Sequence, residues 1–141
     1  MYKNLVARRA CALAVTSFFF SFPFSAQAQT APVAPPVKAA FVYVAPLTDA
    51  GWVRQHDQGR KAVEAALSGK VQTTFVENVA EGPDAERVIR DLAQQGHQII
   101  FTPSFGYMEP TLKVAQDFPN AKFESITGYK QAANVATANA R

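Results

Sequence analysis

The chain has 141 residues, of which 48% are hydrophobic, and it carries 14 basic and 11 acidic side chains. Three of the basic residues, Lys3, Arg8 and Arg9, lie within the first nine, which contain no acidic residue, so the rest of the chain is electrically neutral. A nucleic-acid-binding domain needs Lys and Arg clustered on its folded surface. The charge distribution therefore excludes nucleic acid as a partner, and the length allows at most one ordinary domain.

The N-terminus has the three parts of a cleavable signal peptide, residues 1–28. A basic segment is followed by the apolar run 10–24 and by Ala26-Gln27-Ala28, a pattern that signal peptidase accepts. We predict a periplasmic product without a membrane span, because the run is shorter than the roughly 20 residues a span needs; an uncleaved anchor is the alternative. The one cysteine, Cys11, lies in this run. Residues 29–37 contain three prolines and predict a tether.

Strand and helix patterns alternate beyond this tether. The first predicted strand, residues 39–45, is continuously apolar and is stopped by Pro46, which is typical of a central parallel strand buried on both faces. Residues 71–76 alternate between apolar and polar types and predict a more exposed strand. Further strands are predicted at residues 98–102 and 122–126, with a short fifth beginning near 134–137.

Three helices are predicted between these strands. The apolar face of the first helix is formed by residues spaced three and four apart: Trp52, His56, Gly59, Val63, Ala66 and Leu67. The second helix begins at Pro83, ends at Gly96 and has a buried stripe: Ala85, Val88, Ile89 and Leu92. The third begins near Glu109, is halted by Pro119 and points three apolar residues inward: Leu112, Ala115 and Phe118.

The order of these elements predicts an α/β fold, an open parallel sheet with flanking helices and right-handed crossovers. Ligands of such sheets bind beyond the carboxyl ends of the strands, where the strand order reverses. The loops at that edge are residues 46–52, 103–107 and 127–129. We therefore expect the functional residues in these three loops.

Residue spacing excludes several kinds of chemistry. No two glycines lie closer than eight residues apart, so neither common phosphate-binding loop is present. His56 and His97 are 41 residues apart, and the mature chain has no cysteine, so no metal site is predicted. Both histidines precede Ser104, whereas an α/β-hydrolase orders its triad Ser, Asp, His. Thr102 stands where a phosphoacceptor domain needs an aspartate. The sequence thus predicts a binding protein without a cofactor rather than an enzyme.

Aromatic and acidic residues concentrate in the predicted edge loops. Four residues would place aromatic faces and one carboxylate at the mouth of the site, the opening formed by these loops: Asp49, Trp52, Phe105 and Tyr107. This mixture suits a flat, hydrogen-bonding heterocycle. Each residue also has a structural alternative. Trp52 and Phe105 could be core residues, Asp49 could cap the first helix, and His56 is expected in the core rather than at a ligand.

Five segments carry a wider resemblance: residues 38–42, 49–52, 84–92, 100–108, and 122–124 with 127–130. In combination they resemble the BMP (basic membrane protein, PnrA-like) family of ABC transporter substrate-binding proteins. The resemblance implies a type I periplasmic-binding-protein-like lobe that shares a ligand cleft with a second lobe. It also implies a purine base or nucleoside as the ligand and an ABC permease in the inner membrane as the partner.

The same resemblance implies a set of ligand-binding positions: Asp49, Trp52, Ser104, Phe105, Gly106 and Thr127. The first two would supply an aromatic wall and polar contacts for the base, and the loop after the third strand would form the opposite floor. Many members have an aspartate where Thr127 stands, and its absence here favours a bare base or another heterocycle over a ligand with a ribose contact. Residues 38–141 are expected to form the N-terminal lobe only, with the second lobe absent. A sensory ligand-binding module and a truncated remnant without binding activity remain alternatives.

Overall fold

A computed structural model describes residues 34–139, and these form a parallel sheet with helices on both faces. The elements in chain order are β1 (Val37–Val42), α1 (Trp52–Ala66), β2 (Val71–Val76), α2 (Pro83–Gln94), β3 (Ile99–Thr102), a 3₁₀ turn (Phe105–Tyr107), α3 (Met108–Asp117), β4 (Lys122–Ile126) and β5 (Val135–Ala138). The predicted α/β fold with an open parallel sheet is confirmed. The predicted signal peptide, residues 1–28, and the first part of the tether lie outside the described residues. No helix within residues 34–139 is long and apolar enough to cross a membrane.

The five strands are ordered β2-β1-β3-β4-β5, and each pairs with its neighbours in parallel. The prediction of a buried central first strand is confirmed, since β1 lies between β2 and β3 and its last four residues are buried. The strand begins at Val37, which the sequence assigned to the tether, and ends at Val42 rather than residue 45. Residues 43–45 lie in the loop after β1 and pack in or against the core. They are therefore as apolar as the strand itself, and hydrophobicity alone does not show where the strand ends.

The face of the sheet that carries Ala40, Val42 and Ile100 packs against α2 and α3 and forms the larger core. The predicted stripe of α2 is confirmed, with Ala85, Ile89 and Leu92 buried and Val88 partly buried. In α3 the stripe is rotated by about one position from the prediction, because Thr111, Val114 and Ala115 are buried and Leu112 and Phe118 only partly so.

The opposite face is covered by α1, and here the predicted apolar face of the helix is wrong. Val63 and Leu67 are 44% and 43% exposed, whereas Val53, Asp57 and Arg60 are buried. Hydrophobic periodicity missed this face because two of its three buried residues carry opposite charges. Each charge is neutralised by the other, so the pair can be buried although its members are polar.

The buried pair anchors α1 to the edge strand β2. Arg60 contacts one carboxylate oxygen of Asp57 with Nε at 2.9 Å and Nη2 at 2.8 Å. Its Nη1 donates to the Thr73 hydroxyl at 2.8 Å, and its guanidinium lies 4.8 Å from the centre of the Phe75 ring. The helix is therefore fixed to β2 by directional contacts rather than by an apolar stripe.

Two titratable groups respond to this burial. Burial by itself would raise the pKa of Asp57, but hydrogen bonds from Lys61 and Arg60 outweigh that effect and hold the pKa below its ordinary value. The neighbouring Tyr43 is fully buried, and burial together with the charge of Asp57 raises its pKa to about 12. Asp57 is therefore the ionised partner of Arg60 near neutral pH.

Replacing Arg60 with alanine should leave the buried Asp57 carboxylate without its buried partner, so that only the exposed Lys61 ammonium still contacts it. We expect the free energy of unfolding at pH 7, measured by urea denaturation, to fall by about 3 kcal/mol. Arg87→Ala is the matched control because its partners Asp84 and Asp91 are exposed, and it should cost less than about 1 kcal/mol.

The loss of stability caused by Arg60→Ala should also depend on pH. Because the folded-state pKa of Asp57 is lowered, its pairing adds stability above the unfolded carboxyl pKa of about 3.9 and this contribution is lost as the pH falls through the folded value. The stability difference between the parent chain and Arg60→Ala should therefore narrow in acid. An equal difference at pH 7 and well below pH 3 would contradict the ionic assignment.

Candidate functional site

The strand order reverses between β1 and β3, so the loops that follow these two strands meet at the switch point. Trp52, the first residue of α1, lies at one side of this point and the loop 103–107 lies at the other. The indole Nε1 of Trp52 donates a hydrogen bond to the carbonyl oxygen of Pro103 at 2.7 Å. This contact joins the two loops that the sequence analysis expected to share a site.

Aromatic faces are exposed on both sides of this contact. Trp52 is 40% exposed and Phe105 is 60% exposed, so neither is the core residue that the structural alternative proposed. Tyr129, which the sequence analysis did not count among the ligand-binding residues, is 68% exposed, and its ring centre lies 6.2 Å from that of Phe105. Tyr129 follows Gly128 in the loop after β4, and this position at the carboxyl edge could have identified it as a candidate ligand-binding residue. The edge therefore offers apolar ring surface to a flat solute.

His56 lies beneath the Trp52 indole. The two ring centres are 4.5 Å apart, and the rings meet edge to face. Burial lowers the pKa of His56, so the imidazole is neutral at pH 7. It supports the indole from within the helix and adds no positive charge to the site.

Tyr107 does not belong to the mouth, and its predicted place there is wrong. The side chain is fully buried, and its hydroxyl donates to the carbonyl oxygen of Val79 at 2.6 Å. Burial, and then the charge of Glu81, raise the pKa of the phenol. The 3₁₀ turn points Tyr107 inward while Phe105, two residues earlier, points outward. The amino-acid composition of a turn does not show which of its aromatic side chains face inward, so the sequence could not distinguish Tyr107 from Phe105.

Glu81, in the segment between β2 and α2, occupies the floor of the predicted site, and the sequence analysis missed it. Its Oε1 accepts hydrogen bonds from the Ser104 hydroxyl at 2.5 Å and from the Gly106 amide at 3.2 Å. A Cβ added at Gly106 would overlap the Glu81 carboxyl group, so only glycine allows this approach. The donors of Ser104 and Gly106, both predicted ligand-binding residues, are thus taken by a side chain of the same chain.

A second glutamate of the segment holds the other loop. Glu77 accepts a hydrogen bond from the Leu47 amide at 2.6 Å through Oε2. Asp49, in the same loop, is exposed, and the N-terminus of α1 has no side-chain cap, so the capping alternative for Asp49 is not realised.

Thr127 lies at the end of β4, beside the exposed Tyr129. Its backbone has a φ of 73°, a left-handed conformation that non-glycine residues adopt rarely. Its amide donates to the Ala138 carbonyl at 2.8 Å, while its hydroxyl and that of Ser125 are buried without a partner among the described residues. Unpaired buried hydroxyls beside a strained residue mark this strand end as a place where a ligand or water could be bound.

The described residues offer no arrangement suited to a metal ion. Within residues 34–139, no group of three or more histidine, aspartate or glutamate side chains is placed to hold one. The geometry instead supplies ring faces, the carboxylates of Asp49 and Glu81, and unpaired hydroxyls, which can bind a small solute through stacking and hydrogen bonds.

Comparison with curated proteins identifies two relatives. The chain is 57% identical over 105 residues to a purine-binding protein of Brucella abortus (strain 2308), a match that covers 74% of this chain and 30% of the relative. It is 40% identical over 99 residues to a proposed ABC transporter glucose-binding protein, TsgA13, of Haloferax volcanii, covering 70% of this chain and 25% of the relative. The chain thus spans less than a third of the length of either protein.

Solved structures share the fold at low sequence identity. An ABC transporter solute-binding protein from Conexibacter woesei matches with a TM-score of 0.63 at 22% identity, over 73% of this chain and 35% of the other. A transcriptional activator of the comK gene from Bacillus halodurans matches with a TM-score of 0.60 at 23% identity, over 72% and 33%. At these identities the likeness shows the fold alone.

The family profile described as ABC transporter substrate-binding protein, PnrA-like, matches residues 36–141. That range contains every strand and helix of the sheet and all three loops at its carboxyl edge. The chain belongs to the PnrA-like family of ABC transporter substrate-binding proteins.

Proposed function

We propose that this chain is the N-terminal lobe of a solute-binding protein that delivers a purine base or nucleoside to an ABC importer. The observation that carries the proposal is the 57% identity over 105 residues with the Brucella purine-binding protein. The family profile over residues 36–141 includes all three edge loops. The aromatic faces of Trp52 and Phe105 support it, because stacking on a ring is the contact that every base can make.

The proposal also specifies the class of ligand, a purine rather than a sugar. The Haloferax relative, at 40% identity, is named for glucose, so the family fold alone does not select purines. Three exposed rings at one edge, Trp52, Phe105 and Tyr129, favour a flat heterocycle. Glucose therefore belongs in every binding experiment as the competing ligand.

The mechanism is capture by closure of two lobes. Solute stacks on the aromatic wall of this lobe, a second lobe covers its other face, and the closed form is recognised by a permease in the inner membrane. No bond is made or broken in this process. The residues of this lobe would bind and orient the ring: Trp52 and Phe105 by stacking, and Asp49 and Thr127 by hydrogen bonds.

Delivery to such a permease requires export. The sequence pattern of residues 1–28 supports a cleavable signal peptide and a periplasmic protein. We expect N-terminal sequencing of the protein recovered from periplasmic extract to begin at Gln29. Recovery of a chain that begins at Met1 in the inner-membrane fraction would reverse the assignment to the periplasm.

Trp52 is the only tryptophan in the chain, so intrinsic fluorescence reports directly on the proposed wall. In a two-lobed version of the protein, adenine or guanine should change this fluorescence. Trp52→Ala should weaken purine binding by about 1 to 3 kcal/mol through lost stacking. Trp52→Phe is the matched control, because it loses the hydrogen bond to Pro103 but keeps an aromatic face. Calorimetric titration that finds equal affinity in all three proteins would remove Trp52 from the site.

A polypeptide of residues 29–141 alone should bind purines weakly. A solute pocket buries roughly 70 to 90% of its ligand, and one lobe leaves a face of the ring in water. Ordering the ligand still costs about 4 kcal/mol or more, so we expect dissociation constants near or above about 1 mM. Titration with adenine, guanine, adenosine, inosine and glucose tests this. Micromolar binding by a demonstrated monomer would mean that one lobe is sufficient.

A further inference from the structure

Two hydrogen-bond donors of the loop after β3 converge on one point. The Ser104 hydroxyl and the Gly106 amide both donate to Oε1 of Glu81, at 2.5 Å and 3.2 Å. Two neutral donors directed at one oxygen form a site that a phosphate or carboxylate oxygen of a solute would also fit. The chain fills this site with a carboxylate of its own.

Two features of the surrounding structure favour this position of the carboxylate. The missing side chain at Gly106 leaves the space that the Glu81 carboxyl group occupies. Two residues before Glu81, the backbone is fixed at Val79, whose amide donates to the Tyr43 carbonyl at 3.0 Å and whose carbonyl accepts from the buried Tyr107 hydroxyl at 2.6 Å. Glu81 therefore extends from an anchored segment toward the floor of the site.

The negative charge of Glu81 faces the site without compensation. No lysine, arginine or histidine of the described part of the chain forms an ion pair with it. Both of its described hydrogen bonds go to Oε1, so Oε2 can still accept an N–H of a solute. An anionic group brought to the same place would meet a like charge at short range.

We infer that Glu81 determines the charge selectivity of the site: it takes up the donors of Ser104 and Gly106 and so rejects anionic solutes while accepting neutral ones that carry N–H groups. This inference rests on the proposed function for the identity of the solute. It separates a base or nucleoside from the corresponding nucleotide, whose phosphate would compete with the Glu81 carboxylate.

The alternative role of Glu81 is purely structural, a tie between two loops, and Glu81→Gln separates the two. Glutamine keeps an acceptor oxygen for Ser104 and Gly106 but removes the charge. If the charge sets selectivity, a two-lobed version of the parent protein should bind adenosine at least about tenfold more tightly than adenosine monophosphate, and Glu81→Gln in the same version should reduce that ratio by about tenfold. A structural tie would leave the ratio unchanged.

The matched control is Asp84→Asn. It removes the same charge three residues away, on an exposed side chain whose ion pair is with Arg87. The ratio of adenosine affinity to adenosine monophosphate affinity in this variant should equal that of the parent. Calorimetric titration of the parent and both variants, with thermal unfolding to verify folding, provides the ratios. An unchanged ratio in folded Glu81→Gln, or an equal change in Asp84→Asn, would overturn the inference.

A second measurement keeps the inference testable if no purine binds and the proposed function fails. Inorganic phosphate is titrated into the full chain while the NMR signal of the Gly106 amide is followed. The parent should show no saturable shift, and Glu81→Ala, which frees both donors, should show one. Saturable binding by the parent, or its absence in a folded Glu81→Ala protein, would contradict the proposed role of Glu81 whatever the outcome with purines.

Discussion

The carboxyl edge of the sheet depends on the segment between β2 and α2, which supplies acceptors to the loops on both sides of the switch point. Glu77 accepts from the Leu47 amide in the loop after β1, and Glu81 accepts from Ser104 and Gly106 in the loop after β3. Loop donors that lie outside regular ladders must find partners in this way, or from water. This one segment therefore holds both loops in position and also supplies the negative charge at the floor of the site.

The aromatic wall is fixed from two directions. Trp52 begins α1, and α1 is anchored to β2 through the buried pair of Asp57 and Arg60. The indole is tied separately to the Pro103 carbonyl across the switch point. A buried ion pair adds little net stability, because desolvation offsets the attraction, but its geometry is specific. Here that specificity sets the rotation of the helix and leaves its apolar residues Val63 and Leu67 in solvent.

The strands and helices could be predicted because each has a local cause. The apolar run in β1, the alternation in β2, and Pro83 and Gly96 at the ends of α2 act within a few residues, and all appear in the structure close to the predicted positions. The rotation of α1 could not be predicted in this way. Periodicity counts hydrophobicity, and it assigns Asp57 and Arg60 to solvent unless their pairing is known.

The sequence by itself determined the order of the elements, the parallel sheet, the loops that meet at its carboxyl edge and the resemblance to a binding-protein family. Only the tertiary structure decided which side chains face that edge. Tyr107 turns inward to Val79, 28 residues away, and Ser104 meets Glu81, 23 residues away. Such pairs form only when the sheet brings separate loops together, and the same residues could have satisfied their hydrogen bonds in other ways. The local pattern places residues at the edge, and distant partners decide which of them point into the site.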